Sequence, residues 1–313
     1  MTEKSDISVD AEALKKSLAT ILFNAQIEQD VQAFEKSQKL NTFVTKSTIE
    51  NAQYKALVGI KTGTLFDNLF LDNAEKPIDG IPFGTSMIIT GLPNSGKSIE
   101  MEELVLNLAF LGHKVCYGIT EEIFTTDTPR YDLQTRMKEK ALILKLDWTK
   151  IADNLFILDA VAHPELRNWN TFIGSYRALV EDSKVDIALI DSMTLLEDSR
   201  GQVKFRVLEL VRYNQLHGVT SIMINQRGID EADGLSMAGG ISLGYSVDIL
   251  VAMDYKKAWS GDSQLKLDTG VKQGDIINFV RVLKCRVCRY DAHYIQYTIT
   301  QDGLVRQAIK PNI

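Results

Sequence analysis

The feature that most constrains this chain is the segment Gly91-Leu92-Pro93-Asn94-Ser95-Gly96-Lys97-Ser98, which fits G-x-x-x-x-G-K-[ST] at every fixed position. Its context gives it meaning. The apolar run Met87-Ile88-Ile89 precedes it, and a stretch with helical spacing, Lys97 to Leu111, follows. A strand that feeds a glycine-bearing turn and then a helix gathers backbone N–H groups around one point, where the helix N-terminus adds positive potential. The segment therefore predicts a phosphate cradle built from Gly91, Pro93, Asn94, Ser95, Gly96, Lys97, Ser98 and Ile99. Lys97 would bring a point charge to the β- and γ-phosphates of a nucleotide such as ATP, and the Ser98 hydroxyl would ligate Mg²⁺.

A phosphate loop needs a parallel sheet behind it, and the pattern after Gly59 supplies one. Strand-like runs at Ser86–Thr90, Val115–Ile119, Leu155–Leu158, Ile187–Ile190 and Thr220–Ile224 alternate with helix-like stretches at Lys97–Leu111, Arg130–Lys145, Trp169–Asp182 and Gln202–Leu216. Short apolar strands alternating with amphipathic helices predict an α/β fold, a mainly parallel sheet covered on both faces. After Val247 the texture becomes β-rich, and Ile276–Val287 with Tyr294–Thr300 read as an antiparallel hairpin. Residues 1–58 carry helical apolar spacing (Leu14, Leu18, Ile21, Leu22, Ala25, Val31) and are expected to form a helical N-terminal extension to a domain at 59–313. An amphipathic face must bury somewhere. The extension either packs on its own domain or docks a partner.

Three strand ends carry the remaining chemistry. The run Val185 to Ile190 ends in Asp191, which the strand direction delivers to the carboxyl edge beside the loop, where it would hold Mg²⁺ through its water shell. Val115 to Ile119 runs into Thr120-Glu121-Glu122. Adjacent residues on an extended chain point to opposite sides, so one of the two carboxylates is expected to face the γ-phosphate and activate water. Thr220 to Ile224 ends in Asn225-Gln226, and the Gln226 amide is placed to sense the γ-phosphate. Glu121, Glu122, Lys97 and Gln226 are the candidate catalytic residues.

Four strand ends in this order resemble the RecA superfamily of P-loop ATPases, in particular its KaiC and archaeal RadA branches. Lys61-Thr62-Gly63-Thr64-Leu65-Phe66-Asp67 and Gly80-Ile81-Pro82-Phe83-Gly84 are similar to that family's approach to its first core strand. The resemblance implies a RecA-like core, ATP hydrolysis with Glu121 as the catalytic carboxylate and Glu122 as the second of a pair, and assembly into a hexameric ring or filament. Lys284-Cys285-Arg286 resembles the K-x-R element that KaiC-like proteins insert into a neighbouring subunit's nucleotide site. Lys284 and Arg286 are then expected to act in trans. On a strand, residues two apart do share a face. A RadA-like DNA-binding ATPase is the alternative, and a nucleotide-gated scaffold with little turnover is a third.

Charge weighs against nucleic acid. The chain has 35 Lys and Arg against 41 Asp and Glu, a formal net charge of -6. The segment Arg227 to Ala238, where the recombinases carry their DNA-binding loop, holds three acids and one arginine, a poor match to a phosphate backbone. An unidentified protein partner is the expectation instead. No apolar run reaches the ~20 residues a bilayer needs, so no membrane role is expected and the cytoplasm is the expected location. The three cysteines, Cys116, Cys285 and Cys288, are too few for a disulfide framework. Cys285 and Cys288 make one C-x-x-C, half a zinc site, and would face opposite sides of a regular strand unless a turn begins there.

Overall fold

The computed structural model describes residues 57–128, 131–193, 196, 203–226, 244–257 and 274–308. The chain divides into Met1–Lys55 and Ala56–Ile313, and all of these residues belong to the second unit. The helical extension expected over residues 1–58 (apart from 57 and 58) and the acidic segment at 227–238 lie outside the described residues.

The strands are β1 (Gly59–Ile60), β2 (Phe70–Leu71), β3 (Ile81–Pro82), β4 (Ser86–Gly91), β5 (Val115–Ile119), β6 (Leu155–Asp159), β7 (Ile187–Asp191), β8 (Thr220–Gln226), β9 (Ile249–Lys257), β10 (Ile276–Cys285), β11 (Arg289–Tyr290), β12 (Ile295–Ile299) and β13 (Val305–Gln307). The helices are α1 (Lys97–Phe110), α2 (Leu133–Ile143), α3 (Trp148–Ala152), α4 (Trp169–Ser183) and α5 (Val203–His217). Nine strands form one sheet in the order β13-β12-β10-β9-β4-β8-β7-β5-β6. From β9 to β6 every pairing is parallel; from β9 outward to β13 every pairing is antiparallel. The expected parallel sheet with an antiparallel carboxyl-terminal hairpin is the observed fold.

Side-chain alternation along the central strands divides the core. Met87 and Ile89 of β4, with Ile187 and Leu189 of β7, face a cluster that includes Met101, Leu104 and Val105 of α1 and Met137 of α2. Ile88, Ala188 and Ile190 face the other way, onto Phe172 and Tyr176 of α4 and Leu210 of α5. These strands are buried on both faces, which is why they read as continuous apolar runs rather than alternating ones. The helices start where polar side chains can satisfy first-turn N–H groups. Asp132 accepts from the Thr135 N–H at 2.8 Å, and Asn168 accepts from the Asn170 and Thr171 N–H groups. Helix α1 starts without a side-chain cap, and it belongs to the site.

Candidate nucleotide site

Helix α1 opens with Gly96 at its N-cap, so no side chain occupies the donors of its first turn. The loop before it coils through left-handed backbone at Asn94 (φ 63°) and Gly96 (φ 86°). Backbone crowding requires glycine at position 91, and the left-handed backbone requires it at position 96. A Cβ on Gly91 would lie 1.8 Å from the Met253 carbonyl oxygen of β9, and one on Gly96 would lie 2.9 Å from Ile299 Cδ1 of β12. The carboxyl-terminal half of the chain thus supports the loop from behind. It adds polar ties: Asp254 Oδ1 accepts from the Leu92 N–H at 3.1 Å, and the buried Tyr297 hydroxyl donates to the Ser95 carbonyl. Lys97, 6% exposed, donates to the carbonyls of Gly91 (3.1 Å) and Leu92 (2.7 Å) and to the Ser95 hydroxyl (3.3 Å). Ser98 follows in the same turn. Ile99 packs its side chain against the core, so its contribution to the cradle is its backbone.

The donors, the left-handed turn and the ammonium held against the loop fit a bound polyphosphate. The acidic partner fits a divalent cation. Asp191 ends β7 at the carboxyl edge, 8% exposed, with the Ser98 hydroxyl hydrogen-bonded to it. Burial pushes its carboxyl up to about 7. Glu121 and Glu102 push it the same way, while Ser98 and Lys97 pull it down. A buried carboxylate beside a hydroxyl and two further acids is an oxygen donor set of the kind Mg²⁺ takes.

The paired glutamates diverge, as their adjacency on the strand end requires. Glu121 Oε1 accepts from Gln226 Nε2 at 2.5 Å and from the Ser192 hydroxyl at 3.1 Å, so the ends of β5, β7 and β8 converge on this one carboxylate. Thr120 fastens the two neighbouring strand ends. Its N–H donates to the Asp191 carbonyl at 2.9 Å, and its hydroxyl accepts from the Ser192 N–H at 2.9 Å. Glu122 turns toward α2, where Arg136 Nη2 meets it at 2.7 Å. Arg136 also grips Glu102 Oε1 through Nη2 and Nε, and Lys140 takes Glu102 Oε2 at 2.7 Å with both side chains buried. One cleft is lined by Ser98, Glu102, Glu121, Glu122, Arg136 and Asp191.

The sequence reading left out Glu102, Arg136, Lys140, Ser192, Asp254 and Tyr297. Glu102 had a readable signal: it stands four residues after Ser98 on α1 and so shares its face. Arg136, Asp254 and Tyr297 reach the site through tertiary packing, which no local spacing encodes.

Lys284 and Arg286 are at the other edge of the sheet. β9 runs parallel to β4 with Ile249 beside Met87, and β10 runs antiparallel to β9 with Cys285 beside Ile249. The end of β10 therefore lies level with the start of β4, while the phosphate loop leaves the end of β4. Lys284 Nζ donates to the carbonyls of Gly244 (2.7 Å) and Val247 (2.5 Å), and Arg286 Nη2 donates to that of Tyr245 (2.7 Å). Burial, and next the Arg286 charge, lower the Lys284 ammonium below its ordinary value.

The family model described as "ATPase: KaiC" matches residues 60–310, most of the chain and all of the site. The protein belongs to the KaiC ATPase family. The crystal structure of a KaiC-like protein from the hyperthermophilic archaeon Pyrococcus horikoshii superposes with a TM-score of 0.59 at 16% identity, covering 81% of this chain and 100% of that one. At that identity the likeness shows the fold, a RecA-like P-loop core. No curated protein matches the chain. Among the described residues no helix is long and apolar enough to cross a membrane.

Proposed function

We propose that this KaiC-family chain binds ATP with Mg²⁺ at the Gly91–Ser98 loop and hydrolyses it as a homo-oligomer, with nucleotide held at boundaries between copies. The observation that carries the reading is the split of the machinery between two edges of one sheet. Lys97, Asp191 and Glu121 gather at the carboxyl edge, whereas Lys284 and Arg286 stand at the opposite edge of the same chain. Two cations in that position serve a phosphate site only if a second copy presents its own.

Within the site the roles follow from placement. Loop N–H groups and Lys97 bind and orient the phosphates. Ser98 and Asp191 would hold the magnesium ion, which when bound neutralises phosphate charge. Glu121, whose Oε1 is held by Gln226 and Ser192, would orient a water and accept its proton at Oε2. Loss of the γ-phosphate would register at Gln226 through the same hydrogen bond. Glu122, tied to Arg136, carries charge at the mouth of the cleft. The cations of a neighbour would balance charge that develops as the phosphoryl group transfers.

Calorimetry with Mg²⁺ and ATP or GTP should show heat of association for the wild type and none for Lys97→Ala. Glu121→Gln should bind normally and turn over at least ~100-fold more slowly, the scale of a lost general base. A wild-type rate in Glu121→Gln would refute the catalytic assignment. The trans geometry is tested by mixing two inactive variants, Lys97→Ala and Arg286→Ala. Mixed assemblies contain boundaries with both wild-type halves and should recover activity; no recovery at any ratio would count against the boundary site.

A further inference from the structure

The turn after β10 holds a pair of thiols that the nucleotide site does not use. On a continued strand Cys285 and Cys288 would face apart. The strand instead stops at Cys285, and the bend through Arg286, Val287 and Cys288 brings the two Sγ atoms to 3.4 Å. The turn that would unite the pair does begin there.

Backbone pairing on both sides holds this arrangement. The Arg286 N–H donates to the Asp248 carbonyl at 3.1 Å, and beyond the turn Arg289 and Tyr290 pair with Leu71 and Phe70. Both cysteines are half-buried and pack against the core, whereas Arg286 and Val287 between them are exposed. The sulfurs are unequal. The Cys288 sulfur 3.4 Å away and the N–H groups of Val287 and Cys288 favour a thiolate on Cys285, lowering its thiol although burial opposes it. That thiolate in turn holds the proton on Cys288, raising it far above the ordinary range. Metal chelation has no support, because among the described residues no group of three or more His, Cys, Asp or Glu is placed to hold an ion.

We propose that Cys285 and Cys288 are a redox-active dithiol whose substrates are low-molecular-weight disulfides, with Cys285 the attacking sulfur and Cys288 the resolving one. The Cys285 thiolate attacks one sulfur of the small disulfide. A new S–S bond forms at Cys285, the old one breaks, and the leaving thiolate takes a proton from water. Cys288 then gives up its proton to solvent and attacks Cys285 Sγ, which forms the internal disulfide and expels the second small thiol. Two electrons pass from the protein to the disulfide, and two small thiols are the products. The oxidised form closes a small covalent ring through Arg286 and Val287. It therefore fixes the backbone that carries one of the two cations at this edge.

The test uses the full chain in glutathione redox buffers, with acid quench, alkylation and peptide mapping by mass spectrometry. In oxidising buffer the wild type should protect Cys285 and Cys288 together through an internal disulfide. Cys116, 1% exposed and pushed up by burial to about 12, should stay reduced and serve as the internal control. Given glutathione disulfide, Cys288→Ser should accumulate a mixed disulfide on Cys285, while Cys285→Ser should form one on Cys288 at least ~10-fold more slowly. Independent alkylation of both sulfurs in oxidising wild type would overturn the dithiol, a result that needs no variant to fold. Equal adduct rates in two variants with wild-type circular dichroism would overturn the assigned order of attack.

Discussion

Replacing Asp191 with asparagine should make the nucleotide-free protein more stable at pH 8 while weakening its hold on magnesium nucleotide. The argument starts from burial. The carboxyl is 8% exposed at the end of β7, and its folded value is pushed from 3.8 up to about 7. Because the folded value exceeds the unfolded one, the native state keeps a proton that the unfolded chain has released between those pH values. The group's contribution to stability is therefore complete below about 3.8 and is lost as pH rises to about 7. At 1.36 kcal/mol for each pKa unit, the rise amounts to about 4 kcal/mol.

Asparagine fills nearly the same volume and never ionises. Urea unfolding at several pH values, without nucleotide or metal, gives the difference in stability between variant and wild type. That difference should grow in the variant's favour by ~1.4 kcal/mol per pH unit up to about pH 7 and level off above it. Glu100 is also fully buried and is pushed up to about 8, but both proteins carry it, so its slope cancels in the difference. Adding Mg²⁺ with ATP at pH 8 should reverse the order, since a ligand that binds only the native wild type raises its stability by mass action. A variant less stable than wild type at pH 8 without ligand, or a difference flat across pH, would refute the reasoning.

Glu102→Ala leaves the Lys140 ammonium buried without its carboxylate and frees Arg136 from α1, so it should cost about 3–5 kcal/mol in urea unfolding. A loss under ~1 kcal/mol would mean that the two cations find water instead. Tyr297→Phe removes only the hydroxyl that donates to the Ser95 carbonyl and should weaken ATP binding by about 1 kcal/mol, roughly fivefold, in calorimetry; unchanged affinity would show that the loop holds its shape without β12.

The elements along β4, α1, β5, β7 and β8 were legible because each satisfies a local rule. Apolar runs of strand length, a glycine-lysine-serine turn and a polar residue closing each strand are all written in consecutive residues. Asp191, Glu121 and Gln226 could be assigned to one edge from strand direction alone, and Glu121 and Gln226 prove to be hydrogen-bonded. Helix starts were less legible. The stretch read from Arg130 begins at Leu133, because the Asp132 side chain accepts from the Thr135 N–H and fixes the N-cap there. The supports behind the loop were illegible for a different reason. Asp254 and Tyr297 lie 162 and 202 residues beyond Leu92 and Ser95, the partners they bond, and only the sheet order brings them back.

That sheet order also sets which functional residues one chain can bring to a single edge. A parallel strand delivers its functional residues to its carboxyl end. An antiparallel strand added alongside, as β10 is to β9, delivers its own terminal residues to the opposite edge. Lys284 and Arg286 sit at the end of such a strand, so no rotamer of either side chain changes the edge on which they stand. Moving them to the phosphate loop of their own chain would mean reversing β10, which would break the antiparallel register from Ile276 beside Lys257 to Cys285 beside Ile249. The sheet order therefore keeps the two cations from the chain's own loop, and at their edge Lys284 donates to the Gly244 and Val247 carbonyls and Arg286 to that of Tyr245.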